Sequence, residues 1–169
     1  YIEHKMYAPP SVSKMFYIGP MFRYERPQAG RLRQFYQIGV EAMGSPSPVI
    51  DVEVMTMLIA FFCELGLKDS RLQINSLGNQ NCRPQYREIL KSTIKKHLDK
   101  LCKNCINRYE RNPLRVLDCK AEQCKEIAQN LPKMIDHLDE TSRQHFDEVR
   151  ALLDIAETPY SINANLVRG

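Results

Sequence analysis

The apolar period of this sequence changes twice, and no single class of secondary structure can accommodate both changes. Before residue 44 the runs KMFYIGPMFRYE (14–25) and RQFYQIGVEAM (33–43) are aromatic and β-branched, on either side of a polar Arg26–Leu32 loop that holds a proline and a glycine. They read as a long antiparallel hairpin. From Arg83 onward, Tyr86, Ile89, Leu90, Ile94, His97, Leu98 and Leu101 recur at spacings of three and four, the stripe of an amphipathic helix. After residue 158, PYSINANLV returns to strand character. A mostly helical block is thus inserted between strands of one sheet, which predicts an α+β fold divided at 1–82, 83–158 and 159–169.

The intervening punctuation agrees with this division. SPSP breaks the chain at 45–48, and Val49–Leu65 has helical length, with Gly66 as its stop. The piece VMTMLIAFFCELGL is shorter than the roughly 18 apolar residues of a membrane span and carries Glu64, so it reads as a buried helix with Cys63 in the core. RLQINSLG is a short strand that alternates Leu72 and Ile74 with polar neighbours. In ETSRQHFDEVRALLDIAE, Thr141 or Ser142 is the expected N-cap, and Phe146, Val149, Leu152 and Leu153 form the apolar stripe.

The hairpin carries the chemistry. Arg23, Arg26, Arg31 and Arg33 fall within eleven positions. Strand alternation puts Arg23 and Glu25 on one face, with Phe35, Gln37, Gly39 and Glu41 sharing a face on the partner strand. Phe22, Tyr24, Tyr36, Ile38 and Val40 occupy the opposite face and suit a core. Gly19 and Gly39 fall in the polar phase, where a strand glycine often marks close approach of a ligand or another backbone. Arginines suit bidentate phosphate contacts, Phe35 could stack on a base, and Gln37 with Glu41 could accept the N–H donors of a small ligand such as an amino acid with an imidazole ring. The same residues also fit a solvated hairpin tip, and the pattern does not choose between the two.

A resemblance does choose. FYIGPMFRYERPQAGRLRQFYQIGVEAMG resembles motif 2 of the class II aminoacyl-tRNA synthetases, and within that class the histidyl-tRNA synthetases. INSLG (74–78), NPLRVLDCK (112–120), LDETSRQHF (138–146) and the terminal LVRG resemble the same family in order. The resemblance implies part of the class II antiparallel sheet with flanking helices plus a helical insertion. It implies activation of L-histidine with ATP and transfer to tRNA(His), in a homodimeric, cytoplasmic enzyme whose ATP carries Mg. By position, Arg23 resembles the arginine that meets the α-phosphate and the histidine carboxylate, and Glu25 the residue near the adenine amino group. Arg31 resembles the arginine that reaches the γ-phosphate, and Phe35 the ring stacked on adenine. Gln37 and Glu41 resemble the pair near the α-amino group and the imidazole. Arg168 resembles the catalytic arginine that stabilises charge developing on the α-phosphate. The alternative is a non-catalytic, synthetase-like regulatory paralogue, against which the helical insertion argues.

Other features are weighed against that reading. Cys102 and Cys105 form a CxxC, and Cys119 and Cys124 a Cx4C, a spacing that four zinc-binding thiolates could use. The resemblance requires no metal, so separate reduced thiols are expected; a zinc-dependent RNA-binding module is the outlying alternative. His4, His97, His137 and His145 lie in different segments and receive no catalytic role, and Cys82 is uninformative. Residues 80–130 hold twelve Lys/Arg against six Asp/Glu. The lysines from Lys91 to Lys103 read as a solvated face, with the tRNA acceptor stem as the competing partner. With no initiator Met and a close at NANLVRG, the chain is expected to be a fragment at both ends, inert on its own.

Overall fold

A computed structural model describes residues 2–8, 12–24 and 26–167. The hairpin forms as β1 (Ser13–Phe22) and β2 (Gln34–Met43), antiparallel, with Phe22 opposite Gln34 and Ser13 opposite Met43. The ladder runs one step further through the Arg23 amide donating to the Arg33 carbonyl (2.9 Å), and a bridge between Gln28 and Arg31 closes the loop. Helix α1 (Pro48–Glu64) starts at Ser47, whose hydroxyl accepts from the Val49 amide, and has proline in its first turn, where the missing N–H costs nothing. Strand β3 (Leu72–Ile74) pairs in parallel with β4 (Tyr160–Ile162), in register from Leu72↔Tyr160 to Ile74↔Ile162. Everything helical after residue 82 therefore lies between two neighbouring strands. Among the described residues these are two separate two-stranded sheets.

Between β3 and β4 run α2 (Arg83–Lys95), α3 (Lys103–Arg111), α4 (Glu122–Gln129) and α5 (Glu140–Ile155), joined by 3-10 turns at Leu98–Lys100, Pro113–Val116 and Met134–His137. The stripe of α2 is buried as the spacing predicts, with Tyr86, Leu90 and Ile94 fully enclosed. The helix stops at Lys95, however, and Leu98 and Leu101 reach the core from a tighter turn. Gly78 makes the turn from INSLG into α2 with φ +61°; a β-carbon there would lie 2.5 Å from both Cys82 Sγ and Met134 Cε, so both backbone sign and space demand glycine.

Three expectations are corrected. The helix α5 is capped two or three residues earlier than its hydroxyl residues suggest: Asp139 accepts from the Ser142 amide at 2.9 Å and from Asn79 Nδ2 at 2.6 Å. Its Oδ1 takes the orphan backbone donor of the first turn while its Oδ2 is held by the Asn79 side chain. The helix α1 is not buried all round: Val52 is its one buried residue, and Cys63 is exposed rather than in the core. It packs along one side against α5, where His145 Nε2 lies 2.8 Å from Asp51 Oδ2. The apolar face of the hairpin is likewise open, with Phe22 74%, Tyr24 101% and Tyr36 78% exposed. Periodicity tells which face is apolar, while burial needs an element laid on that face; here α1 reaches only the end near Lys14, which pairs with Glu53 at 2.5 Å.

Candidate functional site

The register of the hairpin decides which side chains share a face. Met15 stands opposite Glu41, Tyr17 opposite Gly39, Gly19 opposite Gln37 and Met21 opposite Phe35, so these eight line one side, with Arg23 at its end. Arg23 lies over Phe35, its guanidinium carbon 4.3 Å from the ring centroid, while its Nε donates to the Leu32 carbonyl at 2.8 Å. A guanidinium held over an aromatic ring can still offer N–H donors to a carboxylate or phosphate.

Towards the other end, Gln37 Nε2 donates to the Tyr17 hydroxyl at 2.7 Å. The Tyr17 ring crosses Gly39, where a β-carbon would come 2.1 Å from its Cζ. The close approach expected at Gly39 is therefore made by a tyrosine of the same face. Above Gly19 nothing lies within 4 Å of the equivalent position, so the floor is open between the Arg23–Phe35 stack and the Tyr17–Gln37 pair. Glu41 is exposed beyond Gly39 on the same strand face. Sequence reasoning missed Tyr17, although its parity with Gly19 and Arg23 was there to be read.

Arg31 sits exposed in the loop, its backbone paired with Gln28. The expectations on Glu25 and Arg168 fall outside the described residues. The segment that precedes Arg168 is well held: Asn163 donates its amide to the Ile74 carbonyl (3.0 Å), Asn75 Nδ2 donates to the Leu166 carbonyl (3.0 Å), and Lys133 Nζ reaches Asn165 Oδ1 (2.8 Å). INSLG and the chain leading into LVRG are thus fastened together across the β3–β4 pair.

A second constellation lies in the helical block. The Sγ atoms of Cys102, Cys105, Cys119 and Cys124 all lie within 4.8 Å of one another. Backbone hydrogen bonding from Cys105 brings the Cys102 thiol down to about 7, whereas burial pushes Cys105 and Cys124 up. The cysteines that the sequence left as separate thiols are thus one cluster.

Comparison with known proteins covers nearly the whole chain. Among solved structures the likeness is to an aminoacyl-tRNA synthetase: 99% of this chain matches the apo S. aureus histidyl-tRNA synthetase crystal structure with a TM-score of 0.71 at 36% identity, covering 38% of that chain. The histidyl-tRNA synthetase family profile matches residues 1–168. The histidine–tRNA ligases of Geobacter metallireducens and Geobacter sulfurreducens are 57% and 53% identical over all 169 residues. The chain belongs to the histidyl-tRNA synthetase family, and it spans 41% of the length of those two relatives.

Proposed function

We propose that this chain is the ATP- and histidine-binding part of a cytoplasmic histidine–tRNA ligase. The observation that carries the reading is the single hairpin face on which the Arg23–Phe35 stack and the Gln37–Tyr17 pair flank an open floor at Gly19. Phe35 and Glu25 take adenine, Arg31 takes the γ-phosphate, and Arg23 bridges the α-phosphate and the histidine carboxylate. Gln37 orients the α-amino group through its hydrogen bond with Tyr17, and Glu41 accepts the imidazole N–H. In the first step a carboxylate oxygen of histidine attacks the α-phosphorus, an acyl–phosphate bond forms, the α–β phosphoanhydride bond breaks and pyrophosphate leaves; Mg2+ bound to the ATP would offset charge on its phosphates. Arg23 and Arg168 stabilise the charge that develops on the α-phosphoryl oxygens, the kind of fixed cation on which such reactions chiefly depend. In the second step a ribose hydroxyl at the tRNA 3′ end attacks the acyl carbon, and AMP leaves.

The exposed apolar faces of the hairpin and of α1 belong, in this reading, against the remainder of a homodimeric enzyme. A large contiguous apolar surface marks an interface rather than a solvated exterior. The insertion 83–158 meets the tRNA acceptor stem. Residues 1–169 alone should form no adenylate, and measurable adenylate from this segment would contradict the division of labour. For the full-length protein the test is amino-acid-dependent ATP–pyrophosphate exchange. Histidine alone among the amino acids should support it. Exchange with a different amino acid, or with none, overturns the reading, and the latter outcome is what a non-catalytic paralogue would give.

A further inference from the structure

We propose that Cys102, Cys105, Cys119 and Cys124 form a structural zinc site that ties α3 to α4 in the helical block. A tetrahedral tetrathiolate site with Zn–S bonds of about 2.3 Å has edges of about 3.8 Å. Cys102 and Cys119 Sγ stand 3.8 Å apart, and every other pair lies within 4.8 Å, so the cluster reaches this size with shifts of about an ångström at most. All four cysteines are free thiols, and they converge on one centre instead of pairing off. The backbone amide of Cys102 donates to Cys124 Sγ at 3.3 Å, a contact that favours a thiolate and fixes its direction.

The local build supports the same assignment. Cys102 caps α3 and Cys105 sits in its first turn; Cys124 lies in the first turn of α4, and Cys119 follows the Pro113–Val116 turn. Two helix N-termini therefore meet at the cluster, and Lys100, Lys103, Lys120 and Lys125 each stand within two residues of a ligand. These positive groups offset the net negative charge of a zinc tetrathiolate. The need for a tie is physical. The helices α3 and α4 have nine and eight residues, below the length at which a helix persists unaided. Linking Cys105 to Cys119 through one ion closes the segment between them, which carries Pro113 and Val116 into the core. Buried free cysteines often act as small hydrophobes, but that role gives no reason for four sulfurs to face one another. Tetrahedral sulfur cages hold zinc or iron, and the test separates them.

The experiment is elemental analysis of the full-length protein, purified under reducing conditions without chelator. One zinc per chain is expected, released as an organomercurial titrates the thiols, with four thiols that in untreated protein react with Ellman's reagent only after denaturation with a chelator. Cys119→Ser and Cys124→Ser should lose the zinc and melt earlier, whereas Cys63→Ser, on the exposed side of α1, should keep it. Should the serine variants fail to fold, wild-type protein reconstituted with cobalt(II) decides the matter: intense visible d–d bands with thiolate charge transfer are expected. Sub-stoichiometric metal together with weak octahedral cobalt bands, stoichiometric iron, or full zinc retention in both serine variants overturns the assignment. Histidine-dependent exchange is read separately at the hairpin, so loss of zinc and loss of the adenylation reading are distinguishable.

Discussion

Gly19 and Gly39 look alike in the sequence, but the structure gives them opposite roles. Alanine at 39 would drive its β-carbon into the Tyr17 ring, displacing the hydroxyl that receives Gln37. Gly39→Ala should therefore lower the melting temperature and raise KM for histidine together. Alanine at 19 meets open space, so Gly19→Ala should leave the melting temperature unchanged while weakening substrate use, because the methyl fills the floor. Thermal melts paired with exchange kinetics check both, and a Gly19→Ala enzyme with wild-type kinetics would remove the floor from the site. At the loop, Arg31→Ala should cost about 1.5–3 kcal/mol in kcat/KM for ATP through loss of one charge-assisted contact. At this scale alternation grouped Phe35, Gln37 and Glu41 along one strand, and the register of the hairpin adds Arg23 to the end of their face. Tyr17 shares the parity of Gly19 and Arg23, but nothing in the sequence marks its hydroxyl as the partner of Gln37.

Elements were legible where the period is strong and less so at their ends. The stripe of α2 and the pairing of strands around the helical block follow from spacing, whereas the cap of α5 depends on Asn79, sixty residues away. That cap carries a pH signature. Hydrogen bonds from Ser142, then from Asn79, hold the Asp139 carboxyl below its ordinary range. A carboxyl depressed in the folded state contributes stability that is present above its unfolded value, about 3.9, and is lost as the pH falls through the folded value below that. Asp139→Asn keeps an acceptor for the Ser142 amide but removes the titration, so its stability should depend less on pH below about 4 than that of the parent. Acid-unfolding curves of the two proteins check this, and parallel curves would show that the cap does not titrate. The cysteine cluster marks the limit of local reading. Spacing gave a CxxC and a Cx4C, but their convergence depends on how the chain after the 113–116 turn brings Cys119 and Cys124 back to Cys102 and Cys105, which no local pattern encodes.

For the whole molecule, one core runs from Val52 of α1 through the helical block to Val167. The apolar side of the hairpin and much of α1 stand outside it. Composition could not reveal this, because an apolar face reads the same whether its cover is present or lies elsewhere in a longer protein. The two basic regions should separate by function. Lys95, Lys96 and Lys100 are exposed on the helical block, so their joint change to alanine should leave tRNA-free exchange intact while reducing the salt dependence of tRNA binding by about one unit of slope per lost phosphate contact. An unchanged slope would make them a solvated face.

The central claim is that one hairpin face is divided, with ATP at the Arg23–Phe35 end and histidine at the Gln37–Glu41 end. The measurement that tests it most directly is the pair of KM values, for ATP and for histidine, in pyrophosphate exchange by full-length Phe35→Ala and Glu41→Gln enzymes. Phe35→Ala should raise KM for ATP by roughly tenfold or more, the loss of a stacking contact of about 1–3 kcal/mol, with KM for histidine little changed. Glu41→Gln should do the reverse, raising KM for histidine while sparing ATP. If both substitutions move both constants alike, or if Glu41→Gln affects only ATP, the face is not divided in this way and the assignment of its two ends is wrong.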